Sequence, residues 1–128
     1  MGYPDDRRYT KSHEWARHGD DGIVYVGITD HAQDALGEIV HVELPQVGRS
    51  VAAGKPCAEV ESVKSASDIY SPVSGKVVAV NDALKNAPEL VNASAHDDAW
   101  MFGVLPSDMQ ELAQLLDAAA YEAVLANS

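Results

Sequence analysis

Hydrophobic and polar positions alternate over short stretches for about the first hundred residues, and then the period changes. Ser12 to Arg17 and Gly22 to Thr29 contain strand-like runs. The core of the second, Ile23-Val24-Tyr25-Val26, is β-rich and bounded by Asp20-Asp21-Gly22 and Gly27. Alternation from Glu38 to Leu44 puts Val40, Val42 and Leu44 on one face and Ile39, His41 and Glu43 on the other. Pro56 to Val63 alternates in part, with Ala58, Val60 and Ser62 opposed to Cys57, Glu59, Glu61 and Val63. Asp68 to Tyr70, Lys76 to Val80 and Trp100 to Leu105 read as further strands, with turns at Pro45 to Gly48 and Pro72 to Gly75. Asn81 to Ala95 reads as loop with a short helical turn.

Two helices are predicted. Asp30 is placed to cap a short one near 30–36, and Gly37 stands where it ends. The other follows Pro106 and spans about 108–126. Ser107 with Gln110, and Asp108 with Glu111, have capping-box spacing. Leu112, Leu115, Leu116, Ala119 and Val124 recur at helical intervals on one apolar face, suited to covering a sheet. Many short strands joined by turns rather than helices predict a mainly β sandwich or barrel. Residues 1–8 read as an N-terminal extension and 9–128 as a single domain, since no linker-like stretch divides them.

Charge and composition narrow the function. The 128 residues carry 20 acidic against 9 basic side chains, a formal net charge of −11. Such a surface disfavours nucleic acid and anionic membranes and favours partners with basic docking patches. No window has the length of a transmembrane helix. Met1 to Tyr9 has no apolar stretch and reads as neither a secretory signal nor a transit peptide, so a bacterial cytoplasmic protein is expected, with a mature organellar protein as the other option. Cys57 is the single cysteine and reads as a small buried hydrophobe. The five histidines, His13, His18, His31, His41 and His96, show no metal-ligand spacing, so no metal site is expected. No G-x-S-x-G elbow, P-loop or dinucleotide fingerprint is present.

The stretch Glu59 to Gly75, EVESVKSASDIYSPVSG, carries the chemistry. Lys64 lies between two extended segments among small and medium neighbours: Ser62, Val63, Ser65, Ala66 and Ser67. Glu61 and Asp68 flank it. A lysine at a hairpin tip projects into solvent from a rigid base, where a modifying enzyme could reach one lysine among five. Taken alone, an exposed lysine on a turn is ordinary.

The run VESVKSASDIYSPVSGKVVAVN closely resembles the lipoylation segment of glycine cleavage H proteins. YTKSHEW at Tyr9 to Trp15, VGITDHAQDALGEIVHVELPQVG at Val26 to Gly48 and PELVN at Pro88 to Asn92 resemble further motifs of that family, in order, and Trp100 aligns with a late aromatic. The resemblance implies a lipoyl-type barrel-sandwich hybrid of two small sheets. It implies an (R)-lipoyl group in amide linkage on Lys64, attached by a lipoate-attaching enzyme. It implies a carrier that catalyses no bond change itself and moves an aminomethyl group between partners. The P protein, a decarboxylase, loads it, the T protein, an aminomethyltransferase, unloads it, and the L protein, dihydrolipoyl dehydrogenase, reoxidises the dithiol. A monomer is expected. Sheltering of the loaded aminomethyl group falls to Glu14, with Ser12 and Asp68 as helpers.

Between Asn92 and Trp100 the chain reads ASAHDDA, where the family pattern has a Pro-aromatic-Gly-like turn, and Gly103 replaces a common basic residue. Other readings are an H-like carrier serving lipoyl relay to 2-oxo acid dehydrogenases, a lipoyl or biotinyl domain of a larger complex, and an unmodified interaction module. Val63 and Ser65 stand where a biotinyl motif has methionines.

Overall fold

The β-rich runs pair into two antiparallel sheets, seen here in a computed structural model that describes residues 3–127. The larger sheet holds β1 (Arg8–Tyr9), β2 (Glu14–His18), β3 (Val24–Ile28), β5 (Ser50–Val51), β8 (Gly75–Val80) and β9 (Phe102–Pro106), in the order β1-β2-β3-β9-β8-β5. The smaller holds β4 (Ile39–Glu43), β6 (Pro56–Ser62) and β7 (Ala66–Tyr70), in the order β4-β6-β7. The main core lies among Val24, Val26, Val42, Val60, Val77, Phe102 and Val104, contributed by both sheets. The mainly β, two-sheet expectation holds. Among the described residues no helix is long and apolar enough to cross a membrane.

Strand β2 is covered on both faces. Ala16 joins the main core, while Trp15 joins a second cluster with Tyr9, Ala118 and Tyr121. Trp15 Nε1 donates to the Ala95 carbonyl at 3.0 Å, and the Arg7 guanidinium lies 4.7 Å from its ring centroid. Gly27 is its cross-strand partner. The indole occupies the volume a side chain there would need, with ring atoms 2.6 to 2.8 Å from an ideal Cβ.

Several local expectations need correction. Thr29, not Asp30, caps α1 (Asp30–Leu36), its side chain accepting from Ala32 N. The Thr29 hydroxyl lies 3.2 Å from Ala32 N, while the Asp30 carboxylate instead accepts from Gln33 Nε2. Gly37 does end that helix, at φ 83°. In β4 a bulge between Ile39 and His41 shifts the alternation, so Ile39 is buried and Val40 exposed. A second irregularity between Pro56 and Ala58 buries Cys57 beside Ala58, so the two do not face opposite ways as the alternation predicts. Burial pushes the Cys57 thiol up to about 12, consistent with its expected role as a small hydrophobe. Residues 81–95 contain two short helices, α2 (Ala83–Asn86) and α3 (Leu90–Ala93), which bury Leu84 and Val91.

The predicted helix over 108–126 is broken in two, α4 (Gln110–Ala113) and α5 (Ala118–Ala126). Leu116 leaves the helix to exchange two backbone hydrogen bonds with Tyr9, at 2.7 and 2.9 Å. Asp117 then caps α5 by accepting from Ala120 N. Neither capping box forms: the Glu111 carboxylate turns away to Ser74 N and Oγ, at 2.7 and 2.9 Å. The 8/9 boundary of the expected N-terminal extension falls inside β1. Tyr3 N donates to Glu122 on α5, and the Tyr3 ring packs edge-on against Tyr9 and Tyr121. Met1 and Gly2 of that extension, and Ser128 of the expected domain, lie outside the described residues.

Two consequences can be measured. Gly27→Ala forces the Trp15 ring to move, an overpacking cost of about 1–3 kcal/mol, and thermal unfolding should shift down accordingly. His13 and His96 are both held below the ordinary histidine range, chiefly because burial penalises their charged forms. The unfolded chain takes these protons first, so their contribution is complete above pH 6.5 and is lost as pH falls through their folded values. Urea midpoints should therefore drop from pH 7.5 to 5, and His13→Gln should shrink that drop.

Candidate functional site

The β6–β7 hairpin is held shut at its tip by Ser62. Ser62 N donates to the Ser65 carbonyl at 2.7 Å, and Ser62 Oγ accepts from Ser65 N at 3.1 Å and Lys64 N at 3.4 Å. A serine hydroxyl thus supplies the turn that an Asn-Gly pair would otherwise provide. Val63 and Lys64 are left as the two exposed tip residues, Val63 at 67%. The tip is braced from below, where Val63 N donates to the Glu38 carbonyl at 3.1 Å. The Lys64 stem lies across Gly37, with Cε 3.5 Å from where a Cβ on that glycine would stand. Among the described residues Lys64 makes no ion pair.

Around it, Ser65 and Ala66 are exposed, Ser67 is half-buried opposite Val60, and Glu61 is half-buried opposite His41 and Ala66. The amine is thus accessible on a rigid support, surrounded by small side chains. It is suited to acylation without steric obstruction.

Glu14 is placed quite differently. It opens β2 and is 1% exposed. Its Oε1 accepts from Thr10 Oγ1 at 2.5 Å and Ser12 Oγ at 2.6 Å, and its Oε2 from Tyr70 N at 3.2 Å. The β1–β2 turn that delivers both hydroxyls closes through His13, whose φ of 74° is the single positive value among described non-glycine residues. His13 is kept there by a 2.8 Å contact between its Nδ1 and Tyr121 OH, which also lies 2.7 Å from Thr29 Oγ1. No cation pairs with Glu14 among the described residues.

Glu14 and Ser12 share the wall of a recess of about 420 Å³ with Thr10, Tyr70, Ser71 and Glu111. Asp68, grouped with them in the sequence reading, lines a separate recess of about 490 Å³ with Arg49, Cys57 and Glu59. Asp68 is exposed and its cross-strand partner is Glu59. The structure therefore joins Glu14 to Ser12 and sets Asp68 apart.

Thr10, Tyr70 and Glu111 were not among the sequence candidates. Thr10, Ser12 and Glu14 repeat at every second residue, a signal that could have found Thr10. Tyr70 contributes a backbone N–H, and Glu111 arrives from the broken helix, so no local pattern marks either. Among the described residues, no three His, Cys, Asp or Glu side chains converge as a metal site would require.

Residues 7–128 match the family model described as glycine cleavage H-protein. The glycine cleavage system H protein of Shewanella loihica is 58% identical over 122 residues, 95% of each chain, and that of Shewanella baltica is 57% identical over the same share. A crystal structure of a glycine cleavage system H protein from Mycobacterium marinum superposes with a TM-score of 0.88 at 40% identity, over 97% of this chain and 99% of that one. With its exposed hairpin lysine and its matched length, the chain belongs to the glycine cleavage H-protein family.

Proposed function

We propose that this chain is the lipoyl carrier of a glycine cleavage system, bearing lipoate in amide linkage on Lys64. The observation that carries this reading is the placement of Lys64: exposed, without an ion pair, at a braced hairpin tip, in a chain matched to the family over nearly its whole length. The lipoyl group, when bound, supplies a dithiol–disulfide couple able to carry a one-carbon unit and be reoxidised. The chain's own residues perform no bond chemistry. They anchor, present and shelter, which raises the concentration of the arm's end at each docked partner. The partners in this reading are the lipoate-attaching enzyme and the P, T and L proteins. The chain works as a monomer in the bacterial cytoplasm.

Glu14 supplies the sheltering. Its carboxylate keeps unused acceptor positions and faces a recess that holds a second carboxylate, Glu111. A primary ammonium brought there would gain a charge-assisted hydrogen bond away from bulk water. Tyr70, which fixes Glu14, stands six residues along the hairpin strand from Lys64, a span of about 20 Å at full extension. Ser12 holds the carboxylate in place, and Asp68 acts from its own recess.

Three experiments test this. Intact mass after co-expression with a lipoate-attaching enzyme should show one lipoyl group on the wild type and none on Lys64→Arg. A wild type that stays unmodified beside a modified control carrier would leave an unmodified interaction module as the reading. In the second, Glu14→Ala should speed hydrolytic loss of the one-carbon load about tenfold, the worth of one charge-assisted hydrogen bond of roughly 1.5 kcal/mol. An unchanged rate overturns the sheltering role. Reconstitution with P, T and L proteins then separates glycine cleavage from lipoyl relay.

A further inference from the structure

The segment that departs from the family pattern, ASAHDDA, is fixed by hydrogen bonds from three directions. Trp15 Nε1 donates to Ala95 O, Arg7 Nη1 to His96 O, and Asn81 Nδ2 to both Asp98 O and Trp100 O. With its backbone held, His96 points its ring at the start of α1. There Nε2 lies 3.0 Å from Asp30 N. A backbone amide can only donate, so Nε2 is the acceptor and the ring is neutral, with its proton on Nδ1. The Tyr3 ring packs edge-on against it at 5.4 Å.

What this contact supports is a short helix whose side chains are at most half-buried. α1 has seven residues and none is buried. A helix that short does not persist in water on its own, so Ala32 and Leu36, which pack against the main core, and the contacts at its two ends together hold it. At the start are the Thr29 cap and His96. At the far end, Asn92 Nδ2 donates to Gln33 Oε1 and to Gly37 O, while Asn92 Oδ1 accepts from Ile39 N. Gly37 is the surface over which the Lys64 stem lies, and the next residue, Glu38, accepts from Val63 N. The helix therefore spans from the His96 ring to the shelf beneath the lysine.

We propose that His96 is a positioning residue for the Lys64 arm: its neutral ring anchors α1, and through α1 it fixes the Gly37 shelf on which the arm's base rests. This deepens the carrier reading of Lys64 and depends on it for its functional meaning. An imidazolium has no lone pair at Nε2, so protonation removes the acceptor and turns it into a donor facing the Asp30 N–H. Four charged or titratable groups face the ring. Arg7, itself paired with Asp6, resists the added charge, Asp30 and Asp97 favour it, and the Tyr3 phenol borders it. Burial is the largest influence, and the ring stays neutral to below the ordinary histidine value of 6.5. The shelf is therefore fixed at neutral pH and loosens as pH falls through the His96 midpoint.

The test is an amide NMR titration of the full, unmodified chain from pH 8 to 5. The Asp30, Gly37 and Lys64 amides should move with one shared midpoint below 6.5. In His96→Gln, whose side-chain oxygen accepts without titrating, that shared transition should be lost while the spectrum stays folded. If Asp30 moves and Gly37 and Lys64 do not, the coupling through α1 is overturned. The wild-type titration decides this even should the variant fold poorly. On lipoylated protein, loss of the one-carbon load should accelerate at low pH in the wild type more than in His96→Gln; equal acceleration also overturns the proposal. Because the NMR readout needs no lipoate, a chain that cannot be lipoylated would sink the carrier reading and leave the coupling separately decided.

Discussion

A carboxylate almost wholly buried at the wall of a recess, with no cation paired to it among the described residues, is the constraint around which this molecule is arranged. Leaving Glu14 unsolvated would cost several kcal/mol were its oxygens unpartnered. The fold answers with two hydroxyls from the β1–β2 turn and one backbone N–H from Tyr70. The turn belongs to the larger sheet and Tyr70 to the smaller, so satisfying Glu14 also links the two sheets. The demand continues outward. The turn needs His13 in a left-handed conformation, His13 meets Tyr121, and Tyr121 meets Thr29, which caps α1. One buried charge thus engages a turn, both sheets and two helices.

The lysine site is built on the opposite principle. Lys64 is exposed and, among the described residues, forms no ion pair, on a tip whose rigidity comes from Ser62 and the Glu38 carbonyl. Acylation there would remove its charge and add an apolar chain beside exposed Val63. Such a change would cost the fold little, because the ammonium makes no ion pair among the described residues. By contrast, removing charge from Glu14 would disturb the turn and the sheet contact together. A modifiable group and a fixed group are separated by where the structure spends its hydrogen bonds.

Much of this was legible in the residues. Alternation located the strands, and the ordered motifs located Lys64 in its hairpin. What escaped were interactions between distant parts of the chain. The bulge beside Val40 is set by pairing with β6, not by any local signal. Helical spacing from 108 to 126 is genuine, yet Leu116 gains more as a bridge partner of Tyr9 than as one more helical residue. Glu14 was legible through the family resemblance as an acid with Ser12 beside it, but its burial was not, because that depends on Tyr70 crossing from the other sheet. Asp68 was grouped with Glu14 by the family resemblance, although it lines a different recess.

The bridge between Tyr9 and Leu116 makes the first and last described segments neighbours in one small patch, where Tyr3 also meets Glu122. Fraying that starts at one end removes the hydrogen-bond partners of the other. The two ends should therefore open as a single cooperative unit, with matched protection against hydrogen exchange. An opening of that unit would bare Tyr121 and with it the back of the His13 turn. The recess beside Glu14 is thereby tied to the integrity of segments that lie more than a hundred residues apart along the chain.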